Sequence, residues 1–127
     1  MSRFPITDVK THTIQVKGSE RTRAILEAYV EIGESTVVVF NNHWKSKVGG
    51  AEATEPVRIE SAGVIVRRIK KITSKNAIFD IIIAGDLNET LGEYEHISGR
   101  YQTALIPART EVPRYYARKS LFYTTDP

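Results

Sequence analysis

Two short polar segments of this chain carry residues suited to phosphate chemistry, and each follows a strongly apolar run. The segment NNHWKS, residues 41–46, follows Thr36–Phe40, and the segment GDLN, residues 85–88, follows Ile81–Ala84. Two buried strands are therefore predicted to end in polar residues. Ligands of open α/β sheets bind beyond the carboxyl ends of the strands. A histidine at one strand end and an Asp-x-Asn sequence at the other predict a site for phosphate chemistry.

His43 stands where the first apolar run stops, among polar and cationic side chains. Histidine changes charge near neutral pH and both donates and accepts hydrogen bonds, so it suits contact with a phosphate ester. We predict that Asn42, Lys45 and Ser46 bind the phosphate beside it. The alternative is that these residues only begin a solvated loop, with Trp44 packing back onto the core.

Asp86 and Asn88 are separated by one residue, so both side chains can point to the same side of an extended segment. A carboxylate can take a proton or bind a metal, and an amide can hold an oxygen or a water in place. Gly85 lets the backbone bend or approach a ligand closely. The alternative is an Asx turn that caps the next element, which Asp and Asn form often.

One strong helical pattern lies between the two apolar runs. From Val57 to about Ile72 the apolar residues fall on one broad stripe, and the basic residues fall outside it. Thr54 is predicted to cap this helix at its start. The helix arginines Arg58, Arg67 and Arg68 are predicted to form a solvated face.

The order of elements explains how the two polar segments meet. A strand-helix-strand crossover implies parallel strands with a right-handed connection. Both strand ends then lie at the same edge of the sheet, which brings His43 close to Asp86.

Two further strands are predicted before the first polar segment. Arg23–Ile32 and Thr36–Phe40 flank a short turn containing Gly33 and are predicted to form an antiparallel hairpin. An earlier strand is predicted at Thr11–Lys17. Along the second strand, one alternating set is wholly apolar and is predicted to face the core: Leu26, Ala28, Val30 and Ile32.

Composition limits the class of protein without naming a function. The 127 residues suffice for one domain or part of one, and the formal charge of +3 permits an anionic substrate without indicating nucleic acid by itself. There is no cysteine, which excludes disulfides and thiolate sites. No signal peptide is visible in Met1–Lys10, and no run approaches the ~20 apolar residues of a membrane span. The compartment stays open.

In their order along the chain, these features resemble the endonuclease/exonuclease/phosphatase family, which includes deoxyribonuclease I, abasic-site endonucleases, sphingomyelinases and inositol-phosphate phosphatases. An arginine-led strand from Arg23 runs through a hairpin into NHWKS. A Gly-Gly loop follows, then TEPVR opens a helix, and IAGDLN closes the series. The resemblance covers roughly Arg23 to Glu89.

The resemblance implies a fold and a mechanism. The fold is a deoxyribonuclease I-like four-layer α/β sandwich, here represented by a mixed sheet with a covering helix. The reaction is hydrolysis of phosphate mono- or diesters by an activated water, with Mg²⁺ or Mn²⁺ as cofactor. His43 matches the histidine that hydrogen-bonds the scissile phosphate, and Asp86 matches the aspartate that orients or deprotonates the water. Asn88 matches the asparagine that holds a phosphate oxygen or metal-bound water, so Asp86 and Asn88 are also the expected residues of a second metal site.

Some features of the family pattern are missing. The early strands with an asparagine and a metal-binding glutamate are expected before Met1, and Pro127 follows Asp126 where the family has an Asp-His pair. Residues 1–127 are therefore expected to be a single partial domain that lacks the family's N-terminal and C-terminal strands. Such a fragment is expected to be inactive alone and to self-associate through exposed edges and apolar faces.

Two other functions stay open. The chain could be a catalytically incomplete binding module on the same fold. It could also bind nucleic acid through the basic helix and the aromatic tail, which carries Tyr115, Tyr116, Arg118 and Lys119.

Overall fold

The computed structural model describes residues 2–19, 22–74 and 79–124. The predicted role of Asp126 lies outside these residues. The larger elements are the strands β1 (Ile6–His12), β2 (Ile25–Ile32) and β3 (Ser35–His43), the helix α1 (Ala51–Thr73) and the strand β4 (Asp80–Asp86). The shorter ones are α2 (Glu93–His96), β5 (Leu105–Pro107), a 3-10 turn (Tyr116–Arg118) and β6 (Leu121–Tyr123).

The first four strands form one mixed sheet in the order β1-β2-β3-β4. The β1–β2 and β2–β3 pairs are antiparallel, and the β3–β4 pair is parallel across the helical connection. This confirms the predicted hairpin, whose turn places Gly33 at a φ of +63°, and the predicted crossover. The last two strands form a separate parallel pair.

The first strand lies earlier than the sequence predicts. The prediction of Thr11–Lys17 is wrong over most of its length, since β1 spans Ile6–His12. Val9 pairs opposite Ala28. Ile14, which the prediction placed inside the strand, lies after it and is buried in the core with 3% exposure.

Helix α1 covers one face of the sheet, and it is not the face predicted for β2. Ile25 and Glu27 are 1% and 0% exposed, whereas Leu26 and Ile32 are 37% and 41% exposed. The predicted alternation is correct, but the assignment of the apolar set to the helix-covered core is wrong. The inner face accepts a glutamate because Arg68 of α1 reaches across and binds its carboxylate.

The opposite face of the sheet is also apolar. Ile6, Val9 and Ile82 are each at least half exposed and continue the surface of Leu26 and Ile32. The described residues thus contribute two layers, a helix and a mixed sheet, as the predicted fold class requires. Two sheets of a sandwich pack through apolar faces of this kind. Self-association through this face stays a prediction.

Helix α1 also differs in detail from the sequence prediction. It begins at Ala51 after Gly50, so Thr54 lies inside its first turn instead of capping it, and its hydroxyl donates to the Gly50 carbonyl at 2.8 Å. The predicted solvated arginine face is wrong at Arg58, which is 0% exposed, and holds at Arg67, which is 53% exposed. No helix in the described ranges is long and apolar enough to cross a membrane.

A buried carboxylate joins the helix to the sheet. The Glu27 carboxylate accepts hydrogen bonds from Arg68 at 2.6 and 2.7 Å and from the Tyr29 hydroxyl at 2.9 Å, and it lies 2.7 Å from His12 Nε2. Burial by itself would raise the pKa of Glu27, but the hydrogen bonds from Arg68, Tyr29 and His12 outweigh it and lower the pKa to about 2. An ionised Glu27 is therefore part of the folded state.

This network predicts a specific acid sensitivity. Because the folded pKa of Glu27 lies below its ordinary value of 4.5, its contribution to stability is present above pH 4.5 and is lost as pH falls toward 2. The loss amounts to roughly 3 kcal/mol at most. In Glu27→Gln this part of the pH dependence should disappear, as measured by urea unfolding between pH 2 and 7. Glu34→Gln, at an exposed turn position, should retain it. An unchanged pH dependence in Glu27→Gln would contradict the assignment.

Candidate functional site

The two predicted polar segments meet where β3 and β4 end. The parallel register places Asn42 opposite Gly85 and His43 opposite Asp86. His43 Nε2 lies 4.0 Å from Asp86 Oδ2, and the two side chains are 46% and 61% exposed. The structure therefore brings together the pair that the crossover predicted, and both side chains are open to a ligand. Their catalytic roles stay predictions.

Gly85 allows this close approach. A Cβ atom at this position would lie 2.0 Å from the Asn42 carbonyl oxygen and 2.8 Å from its nitrogen, and φ is +115°. No side chain fits this distance to the backbone, and L-residues rarely adopt this φ. The glycine is thus required for the two strand ends to stay paired next to His43 and Asp86.

Asn42 has a buried position with several partners. Its side-chain amide donates to the carbonyls of Phe40 at 2.8 Å and Ala84 at 3.1 Å, and its oxygen accepts the Trp44 indole N–H at 2.9 Å. Asn42 is 4% exposed and Trp44 is 2% exposed. Asn42 therefore ties β3 to β4, and the phosphate contact predicted for it would require this network to open.

Asp86 and Asn88 form the Asx turn that the sequence left as an alternative. The Asn88 backbone N–H donates to Asp86 Oδ1 at 2.9 Å, and Asn88 has a φ of +49°. The Asn88 side-chain amide donates to the Trp44 carbonyl at 3.0 Å, and the Trp44 N–H donates to the Asp86 carbonyl at 2.9 Å. The turn and the site are compatible, because Oδ2 of Asp86 still faces His43.

A cavity of about 440 Å³ opens beside His43. Its lining includes Trp44 together with Lys45 and Ser46, the residues for which phosphate binding is predicted. It also includes Arg23, which the sequence interpretation assigned only to the start of a strand, and Thr22, to which it assigned no role. The predicted hairpin could have indicated that Arg23 lies beside the segment after His43. Residues just before β2 must lie beside residues just after β3 when the strands are antiparallel.

A second cavity, of about 660 Å³, lies beside Asp86. Asp86 and Asn88 line it together with Lys47, Leu87 and Leu91. His43 therefore lines one cavity and Asp86 lines the other.

The described residues do not fit a complete metal site. In residues 2–19, 22–74 and 79–124, no group of three or more His, Asp or Glu side chains could hold a metal ion. Asp86 and Asn88 offer the oxygen ligands that Mg²⁺ prefers, but they supply only part of its six-oxygen coordination, the rest of which waters or phosphate oxygens usually provide. One of these oxygens, Asp86 Oδ1, already accepts a hydrogen bond within the Asx turn.

A buried charge cluster lies behind the site, and the sequence interpretation missed it. The side chains of Glu55, Arg58 and Glu89 are 2%, 0% and 0% exposed, and Arg58 Nε lies 2.9 Å from an oxygen of each glutamate. Burial, and then the neighbouring negative charge of Glu55, raise the pKa of Glu89 to about 8 against the effect of Arg58. Burial also raises the pKa of Glu55. Two carboxyl groups thus share one guanidinium, and burial raises the pKa of both.

Comparison with known proteins places this geometry in a family. A model of the Endonuclease/Exonuclease/phosphatase family matches residues 1–99. No curated protein matches the sequence.

Solved structures show the same fold. Truncated TDP2 of Caenorhabditis elegans is similar with a TM-score of 0.56 and 21% identity over 68% of this chain and 33% of that chain. TDP2 of D. rerio complexed with single strand DNA product is similar with a TM-score of 0.52 and 20% identity. This match covers 76% of this chain and 35% of that chain. The chain spans about a third of the length of these structures. At such identities the likeness shows the fold alone.

The close approach at Gly85 predicts an unequal response to two glycine substitutions. Gly33→Ala meets no atom within 4 Å, so it should cost only the positive-φ strain of about 1–2 kcal/mol. Gly85→Ala adds a clash with the Asn42 backbone and should cost roughly 1–3 kcal/mol more. Urea unfolding of both variants measures the difference. Equal destabilisation would show that the β3–β4 approach is looser than described.

Proposed function

This chain belongs to the Endonuclease/Exonuclease/phosphatase family, and we propose that it forms part of a phosphoesterase site that hydrolyses phosphate mono- or diesters with an activated water. The observation that carries the proposal is the His43–Asp86 pair, 4.0 Å apart at the ends of two parallel strands. A histidine and a carboxylate at this spacing can contact the same phosphate group and a water beside it.

Each residue has a distinct proposed role. His43 hydrogen-bonds the scissile phosphate, and Asp86 Oδ2 orients or deprotonates the attacking water. Asn88, held by its contact with the Trp44 carbonyl, positions a phosphate oxygen. Such groups act on charge that develops in the transition state, where fixed geometry carries most of the effect.

The cavity beside His43 supports an anionic substrate. Arg23 and Lys45 give it two cationic side chains, and Ser46 adds a hydroxyl. Guanidinium and ammonium groups bind phosphate through charge-assisted hydrogen bonds. We include Arg23 in the proposed phosphate-binding set with Lys45 and Ser46.

We propose dependence on Mg²⁺ or Mn²⁺ for the whole protein. Asp86 and Asn88 would contribute oxygen ligands, and waters, phosphate oxygens or side chains outside the described residues would complete the coordination. The metal would supply a positive charge next to the phosphate.

Nucleic acid is the second candidate substrate or ligand. One similar structure, TDP2 of D. rerio, is complexed with single strand DNA product. In this chain Tyr115 is 61% exposed and packs edge-on to Tyr116 at a centroid distance of 4.7 Å, and exposed aromatic side chains of this kind suit base stacking. Arg68 is engaged by Glu27, so the basic helix contributes less to such a surface than its sequence indicates. A binding module without catalysis would use the same surfaces.

Phosphate binding tests the proposed site directly. In a ¹H–¹⁵N titration with inorganic phosphate, we expect shifts concentrated in residues 43–46 and near Asp86. His43→Ala should weaken binding about fivefold or more, the loss of one charge-assisted hydrogen bond. His96→Ala, at an exposed position on α2, is the matched control and should bind like the wild type. Unchanged affinity in His43→Ala would contradict the assignment.

Turnover is expected to be absent in the chain alone. Because the described residues do not complete a metal site, the 127-residue chain with Mg²⁺ should not hydrolyse a generic phosphodiester above the buffer rate. Release of the alcohol product measures this. Robust turnover that disappears in His43→Ala would show that the residues present suffice.

A further inference from the structure

Behind the strand ends, a single buried guanidinium contacts several segments that build the proposed site. Arg58 is 0% exposed. Its hydrogen bonds run to the carbonyls of Lys45 (3.1 Å) and Ala51 (2.7 Å), the Thr54 hydroxyl (2.9 Å), Glu55 Oε2 (2.9 and 2.5 Å) and Glu89 Oε2 (2.9 Å). We propose that Arg58 is a positioning residue that holds the His43 segment and the Asp86 segment in register. This inference rests on the proposed function of those segments.

The hydrogen bonds of Arg58 connect the segment after β3 with the segment after β4. Arg58 holds the Lys45 carbonyl, which lies two residues after His43, and it holds Glu89, which directly follows Asn88. The Asn88 side chain in turn donates to the Trp44 carbonyl. Each half of the site is therefore attached both to the other half and to helix α1. Movement of the guanidinium would displace Asn88 relative to the loop after β3.

The same cluster extends to a third segment. Glu55 accepts a hydrogen bond from the Ala104 backbone N–H at 2.7 Å through the oxygen that does not face Arg58. Ala104 directly precedes β5, and Leu105 lines the cavity that contains Asp86. Arg58 and Glu55 together thus connect both strand ends and one wall of that cavity.

Packing alone does not explain why charged side chains occupy this buried position. Burying an arginine with two carboxyl groups carries a desolvation penalty that well-packed apolar side chains would avoid. Glu89 Oε1 is buried and has no hydrogen-bond partner within the part of the chain that the structure describes. A buried polar atom left unsatisfied destabilises the fold. The benefit that offsets this penalty is that Arg58 and Glu89 fix the position of the segment after Asp86.

Arg68 provides a matched control for Arg58. Arg68 lies on the same helix and binds a buried glutamate, Glu27, with the same fork of Nε and a terminal nitrogen. It touches neither polar strand end in any described hydrogen bond. Arg58→Lys and Arg68→Lys therefore make the same chemical change in a matched setting, and only the first lies behind the site.

The experiment compares these two variants below their unfolding temperatures. A lysine ammonium cannot reproduce the guanidinium fork, so both variants should lose stability. Only Arg58→Lys should shift the side-chain amide resonances of Asn88 and weaken inorganic phosphate binding about fivefold, which corresponds to about 1 kcal/mol. Arg68→Lys should leave both unchanged. The proposal is overturned if Arg58→Lys leaves Asn88 and phosphate affinity unaltered, or if both variants change them equally.

Two further variants keep the test decisive if Arg58→Lys does not fold. Glu89→Ala cuts the link to Arg58 on the Asn88 side alone and should shift the Asn88 resonances. Glu89→Gln keeps an oxygen acceptor and should restore them, whereas equal shifts in both would count against positioning. If the wild-type chain binds no phosphate, the proposed function fails, and the Asn88 resonances still decide the role of Arg58.

Discussion

The parallel pairing of β3 with β4 is the constraint on which the rest of this structure depends. It is tightest where Gly85 lies against the Asn42 backbone, and one residue further it places His43 opposite Asp86. Parallel strands need a crossover connection, which here contains helix α1. The pairing thus sets the place of the helix in the chain order and the position of the polar strand ends.

Two buried ion clusters attach the helix to the sheet and to the loops at its edge. Arg68 binds Glu27 on β2, and Arg58 binds Glu89 after β4. The two clusters shift the pKa of their glutamates in opposite directions. Glu27 is fully hydrogen-bonded and stays ionised, whereas Glu89 competes with Glu55 for one guanidinium and has a raised pKa. The cluster remote from the site is satisfied, and the cluster beside it leaves Glu89 Oε1 without a described partner.

Family membership and the geometry explain different things about the molecule. The family match covers both polar strand ends, since it spans residues 1–99. The geometry adds what surrounds them: a cationic cavity that includes Arg23, a second recess beside Asp86, and an Asx turn that orients Asp86 and Asn88 together. The Asx turn leaves Asp86 Oδ2 facing His43, so the structural role of Asp86 is compatible with the role proposed for it.

Much of the fold was predictable from the sequence because it depends on local pattern. The hairpin, the helix, the crossover and the meeting of His43 with Asp86 follow from apolar periodicity, a turn glycine and the handedness of the connection. The candidate site residues were proposed for the same reason, since they stand where apolar runs end.

Only the tertiary structure decided which groups are buried. Periodicity shows that β2 alternates, but it does not show that the face with Glu27 would meet the helix. That outcome depends on Arg68, which is distant in sequence. In the sequence, the position of Arg58 is typical of a solvated helix residue. In the fold, its guanidinium is bound by Glu89 and by the Lys45 carbonyl. The sequence by itself thus determined the elements and their polar ends, and long-range charge pairing, which no local pattern reports, decided how they are held together.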